Sequence, residues 1–101
     1  MSSPEPFSLE LSPKAQQDFV DILRYTGERW GNLQLLAYRH KLDAALQAIR
    51  FNPHIGHRRD DLPADYLAFP VGAHVIVFRI EIRRIGVVRI LHERMAIGRH
   101  V

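Results

Sequence analysis

The sequence predicts an α+β domain, with a helical hairpin packed on an antiparallel sheet in the order β-α-α-β-β-β. Three observations lead there. Apolar residues recur at helical spacing in two blocks between Ser12 and Asn52, broken only at Gly31-Asn32. Three runs rich in Val, Ile and Phe follow from Tyr66 onward, and a short alternating segment precedes the helices.

The alternating segment is FSLEL, Phe7 to Leu11, which puts Phe7, Leu9 and Leu11 on one face of a short strand. Ser12-Pro13 then reads as an N-cap followed by proline at the first helical position, where a missing N–H costs nothing. Ala15, Phe19, Ile22, Leu23 and Trp30 mark the apolar stripe of a helix ending near Trp30. Gly31 can stop that helix at positive φ, and Asn32 is placed to cap the next. The second helix carries Leu35, Tyr38, Leu42, Ala45, Leu46 and Ile49 on one stripe and ends at Asn52, because Pro53 disfavours helical angles in the residue before it. So short a break makes the pair an antiparallel hairpin, and one stripe per helix means that the pair needs a sheet to cover.

Residues 53–65, PHIGHRRDDLPAD, have no period and read as loop. YLAFP, AHVIVFRIEI and IGVVRILHE, separated at Val71-Gly72 and Arg83-Arg84, read as three strands of a meander. In the last hairpin, His74, Ile76, Phe78, Ile80 and Ile82 form one face, joined by Val88 and Ile90 if even positions pair with even. Val77, Arg79, Val87, Arg89 and Leu91 then share the other face, which the helices leave bare and which carries two arginines side by side. Like charges so placed are unfavourable, so they suggest use by an anionic partner.

The chain reads as one domain of 101 residues, with a loose opening at 1–6 and a C-terminal tail at 95–101. It has no cysteine, which excludes disulfides and thiolate metal sites. No window reaches the ~20 apolar residues of a membrane span, and the opening residues lack a basic signal-peptide region, so the expected location is cytoplasmic. The net charge is +3, and from Pro53 onward every basic residue is Arg. That charge is modest for a nucleic-acid binder, and no sequence-specific DNA binding by this chain alone is expected.

Reactive motifs are sparse. His54 and His57 stand three apart, but they straddle Ile55-Gly56 in a loop without further ligand spacing, so no metal and no cofactor is expected. The serines, Ser2, Ser3, Ser8 and Ser12, lie outside any hydrolase motif, and no phosphate-binding glycine loop is present. Acid–base cleavage of RNA would draw on His92, Arg79, Arg89 and Arg94. Adjacent strand residues point to opposite faces, so His92 and Glu93 cannot both serve one site.

The element order, LSPKAQQDFVDILRYTGERWG, the NPHIG loop, and above all FPVGAHVIVFRIE followed by VVRILHERM resemble the ParE toxins of the RelE/ParE superfamily, from about Leu9 to Gly98. The resemblance implies the toxin of a type II toxin–antitoxin operon, held by a ParD-like antitoxin in a hetero-oligomer and associated with inhibition of DNA gyrase and plasmid stabilisation. Two other classes stay open: a ribosome-dependent mRNA endoribonuclease of the RelE branch, and an inactive antitoxin-binding module. It implies antitoxin contact at Val77, Arg79, Val87, Arg89 and Leu91, through a segment that folds as it wraps the toxin. Such wrapping buries about 2,000 Å² or more, so the free chain is expected to expose apolar side chains and to be poorly soluble. Target contact is assigned to Arg58, Arg59, Arg89, Arg94, Met95 and Arg99. The chain departs from the family pattern at Tyr66, where an arginine is frequent, and at Ala96, where an acidic residue is frequent.

Overall fold

The computed structural model describes residues 6–101, so the expected loose opening, apart from Pro6, lies outside the described residues. The chain enters through β1 (Ser8–Leu11), forms α1 (Pro13–Trp30) and α2 (Asn32–Phe51), and continues into β2 (Tyr66–Val71), β3 (His74–Glu81) and β4 (Arg84–His92). Single 3-10 turns at Pro53–Ile55 and Ile97–Arg99 shape the loop after α2 and the C-terminal segment.

Ser12 fixes the entry to α1. Its hydroxyl accepts the Ala15 N–H at 3.0 Å and donates to the Val88 carbonyl at 2.7 Å, with Pro13 opening the helix behind it. Gly31, at φ +90°, closes α1 and starts α2. Asn32, expected as a cap, is already the first residue of α2 and its side chain caps nothing. A one-residue break leaves no position for a separate cap, so glycine serves both helix ends. Trp30, placed on the α1 stripe by its spacing, sits at the hairpin tip and stays 66% exposed.

The sheet order is β1-β4-β3-β2. The meander is antiparallel, as the sequence predicts, and β1 adds to it parallel to β4, because the two helices carry the chain back across the sheet before β2 begins. The helical face packs Ala15, Ile22, Leu42, Leu46 and Ile49 against Ile76, Phe78, Ile85, Val87 and Ile90.

The register of the last hairpin departs from expectation at one residue. From His74↔His92 to Val77↔Arg89 even pairs with even, but Phe78 then pairs with Val87, leaving Val88 unopposed in a bulge. Ser12 pins the bulge: its N–H reaches the Val87 carbonyl at 2.9 Å and its hydroxyl reaches that of Val88, so two successive carbonyls point the same way. Beyond the bulge the faces of β4 exchange, while β3 keeps its alternation. Val87 turns to the helices, Arg79 stands opposite Gly86 rather than beside Arg89, and Ile82 leaves the strand for the turn, where it is 95% exposed.

Nor is the second face bare. The loop before β2 and the C-terminal segment fold over it, so that Leu62 and Ile97 pack with Ala68, Val75, Val77 and Leu91 into a second core cluster. At the outer edge of β2, His57 exchanges both backbone hydrogen bonds with Ala68 at 2.8 Å. No helix among the described residues is long and apolar enough to cross a membrane.

Candidate functional site

The sheet arginines are each held by a carboxylate of this chain. Arg89 forks onto Asp18 of α1, with Nε to Oδ2 and Nη2 to Oδ1 both at 2.8 Å, and its Nη1 donates to the His100 carbonyl at 3.1 Å. Asp18 also accepts the Ile90 N–H at 3.0 Å. The reason is topological: β1 ends at Leu11, so among the described residues the far half of β4 has no neighbour strand on that side, and a helix carboxylate takes the place of a strand carbonyl. Both side chains of this pair are more than four-fifths covered, and the hydrogen bonds that Arg89 donates to Asp18 hold the guanidinium even more firmly protonated than usual.

Further along the sheet, Glu81 gathers two cations. Arg79 donates to Oε1 at 3.1 Å, and Arg84 donates through Nε to Oε2 at 2.8 Å, pairs with the same oxygen through Nη2, and reaches Glu10 at 3.1 Å. Hydrogen bonding from Arg84, then from Arg79, holds the Glu81 carboxyl below the usual range. These groups wall a cavity of about 430 Å³ with Tyr66 and Gln16, floored at Gly86. In the 57–65 loop Arg59 and Asp61 form a two-bonded pair at 2.8 and 2.9 Å, which lowers the Asp61 carboxyl, while Arg58 is exposed.

A polar cluster that sequence reasoning missed lies where α2 meets the β2–β3 turn. Tyr38 Oη is 2.6 Å from His74 Nδ1, and the His74 and His92 rings meet edge to face at 5.3 Å between centroids. Burial, then the nearby His92, pushes the His74 imidazole below its usual value, and burial raises the Tyr38 phenol. His92 Nδ1 accepts the Arg94 N–H at 3.1 Å. His74, His92, Tyr25, Ile22, Arg89 and Met95 line a groove of about 240 Å³ beside α1.

The residues assigned to RNA chemistry do not converge. Arg79 faces the cavity floored at Gly86, whereas Arg89 and His92 line the groove beside α1, and Arg94 is exposed beyond it. Of the residues assigned to antitoxin contact, Val77, Val87 and Leu91 are at most 2% exposed, Arg89 is engaged by Asp18, and Arg79 is exposed. The expected shared apolar face is therefore not available as a surface: Val87 faces the helices, and Ile97 and Leu62 cover Val77 and Leu91. Arg58, Arg59, Arg94, Met95 and Arg99 are all exposed. Among the described residues no three His, Asp or Glu side chains come together in a way that could hold a metal. Asp18 was not singled out by sequence, since nothing in the chain signals a partner 71 residues away, whereas Glu81 has its partners Arg79 and Arg84 only two and three residues away.

A family model described as "ParE toxin of type II toxin-antitoxin system, parDE" matches residues 9–97. The chain belongs to the ParE toxin family. Relatives named Toxin ParE1 share 33% identity over 91 residues in Caulobacter vibrioides and 35% over 92 residues in Mycobacterium tuberculosis. Each alignment covers 90% of this chain and 94% of the relative. Among solved structures, the chromosomal ParDE toxin–antitoxin system from P. aeruginosa superposes with a TM-score of 0.74 at 17% identity, covering 85% of this chain and 95% of that one. The toxin–antitoxin complex RelBE2 from Mycobacterium tuberculosis gives 0.61 at 18%, covering 88% and 100%. At those identities the structures establish the fold: two helices on a four-stranded mixed sheet, shared by ParE and RelE toxins. As a ParE family member, this chain is the toxin of a type II toxin–antitoxin system.

Proposed function

We propose that this ParE toxin works by gripping a macromolecule, with DNA gyrase as its target and a ParD-like antitoxin as its restraint, and that it does not cleave RNA. The observation that carries the reading is the state of its arginines. Stabilising a phosphorane takes unpaired cations converging on one point. Arg79 and Arg84 are instead neutralised by Glu81, and Arg89 by Asp18, in two clusters that line different cavities. The exposed cations Arg94 and Arg99 flank Met95, which is 38% exposed, on the segment after β4. A cationic ridge with one apolar side chain suits docking on an acidic protein surface.

Antitoxin contact belongs to the apolar side chains that the fold leaves outside: Tyr25 and Trp30 on α1, and Leu33 and Leu36 on α2. An amphipathic helix that folds on binding would cover them. Purified chain added to a gyrase supercoiling assay should inhibit it and accumulate cleaved DNA, and pre-mixing with the cognate antitoxin should abolish both effects. In a translating extract, mRNA should stay intact. Cleaved mRNA with unaffected gyrase would reverse the assignment.

A further inference from the structure

The segment after β4 was expected as a tail, yet it is a built element. Met95 N–H donates to the His92 carbonyl at 3.0 Å, and the 3-10 turn closes with Arg99 N–H on Ala96 and His100 N–H on Ile97, at 2.9 and 3.0 Å. Ile97 is fully buried between Leu62 and the sheet. Gly98 lies against the Asp61 backbone so closely that an added Cβ would fall 2.1 Å from its carbonyl oxygen. At the far end, the His100 carbonyl is held by Arg89.

Arg89 comes from a strand and would swing freely about its long side chain if only a tail carbonyl met it. Asp18 prevents that by taking two of its nitrogens in a planar fork, which leaves Nη1 aimed at His100. Asp18 is itself fixed by the Ile90 N–H. The chain of contacts therefore runs from the first helix, through a strand arginine, to the last residues of the protein. We infer that Asp18 is a positioning residue for the C-terminal segment, presenting Arg94, Met95 and Arg99 in one rigid geometry through Arg89 and the His100 carbonyl. The inference rests on the reading of that segment as the target-facing element, and its test separates the two.

Asp18→Asn is isosteric and keeps an oxygen for the Ile90 N–H while removing the charge that grips Arg89. Arg89→Lys keeps a cation opposite Asp18, but its single ammonium cannot serve the fork and the His100 carbonyl together. Amide hydrogen exchange is measured on the full chain for each variant, beside gyrase inhibition and antitoxin affinity. Exchange at Arg99 and His100 should quicken by about tenfold or more, as expected for loss of a charge-assisted hydrogen bond, while the Ile76 and Phe78 amides stay protected. Gyrase inhibition should fall with it, and antitoxin affinity should not change. Faster exchange with undiminished inhibition would uphold the positioning role and overturn the target-facing reading of the segment. If Arg99 and His100 exchange at the parent rate in Asp18→Asn, or in Arg89→Lys should the first variant not fold, the positioning role is wrong.

Discussion

Replacing Ser12 with Ala tests the fold where its two halves meet. The hydroxyl caps α1 through the Ala15 N–H and donates to the Val88 carbonyl, and both bonds are partly buried. Loss of an N-cap costs about 1 kcal/mol. Loss of a neutral side-chain hydrogen bond that leaves a partly buried carbonyl without its donor costs about another 1 kcal/mol. The two bonds share one atom but serve separate groups, so the expected loss is about 2 kcal/mol, or a fall in Tm of about 8–16 °C for a domain of this size. Urea unfolding followed by circular dichroism measures it, with Ser12→Thr as the control that keeps a hydroxyl in place. A loss under about 0.5 kcal/mol, the scale of a plain surface substitution, would refute the view that this side chain pins the bulge. A full loss matched by Ser12→Thr would point to side-chain crowding rather than hydrogen bonding.

Three further outcomes follow from packing and charge. Ile97→Ala should destabilise by about 2–5 kcal/mol in the same assay, because the side chain is completely buried between loop and sheet; a surface-like change would mean that the C-terminal segment is not part of the core. Gly98→Ala should cost about 1–3 kcal/mol, since the methyl meets the Asp61 backbone and not a flexible side chain. For His74 the folded imidazole titrates below its unfolded value, so the neutral form is favoured by folding. Its contribution is present above the unfolded value near 6.5 and is lost as pH falls through the lower folded value. Tyr38 from α2, Asp18 from α1, and His92 and Glu93 at the end of β4 all bear on it, and the two acids only partly offset burial and His92. Stability should therefore decline from pH 7 towards pH 5, and His74→Asn should flatten that slope; an unchanged slope would remove His74 as its source.

The helices were legible because their signals are local. Ser12-Pro13, the glycine at 31 and Pro53 act within a few residues of themselves, and the stripe of α2 was read correctly at Leu42, Ala45, Leu46 and Ile49. The Asn32 cap failed only because Gly31 already filled that place. The register of the last hairpin was not legible for a physical reason. Val87 and Val88 are identical, and no composition rule says which of two neighbouring valines is the one left over when Ser12, far away in sequence, claims both carbonyls. Coverage of the second face was hidden in the same way. Leu62 sits in a polar loop and Ile97 in a cationic segment, so each looked like an isolated apolar residue, yet the chain brings them together over Val77 and Leu91. The exposed positions Arg58, Arg94 and Arg99 were easier, since long cationic side chains in loops and beyond strand ends are seldom buried.

The backbone exchange between His57 and Ala68 bears on how this molecule avoids its own kind. It occupies the middle of the outermost strand, and two residues further along, on the same outward side, Pro70 has no hydrogen to offer. A fifth strand laid there would find one site taken and the next one mute, so the sheet cannot grow past β2 into a ladder of copies. Sheet extension by a further strand is thus blocked at β2 and is left to the other edge, where β1 covers only the first half of β4.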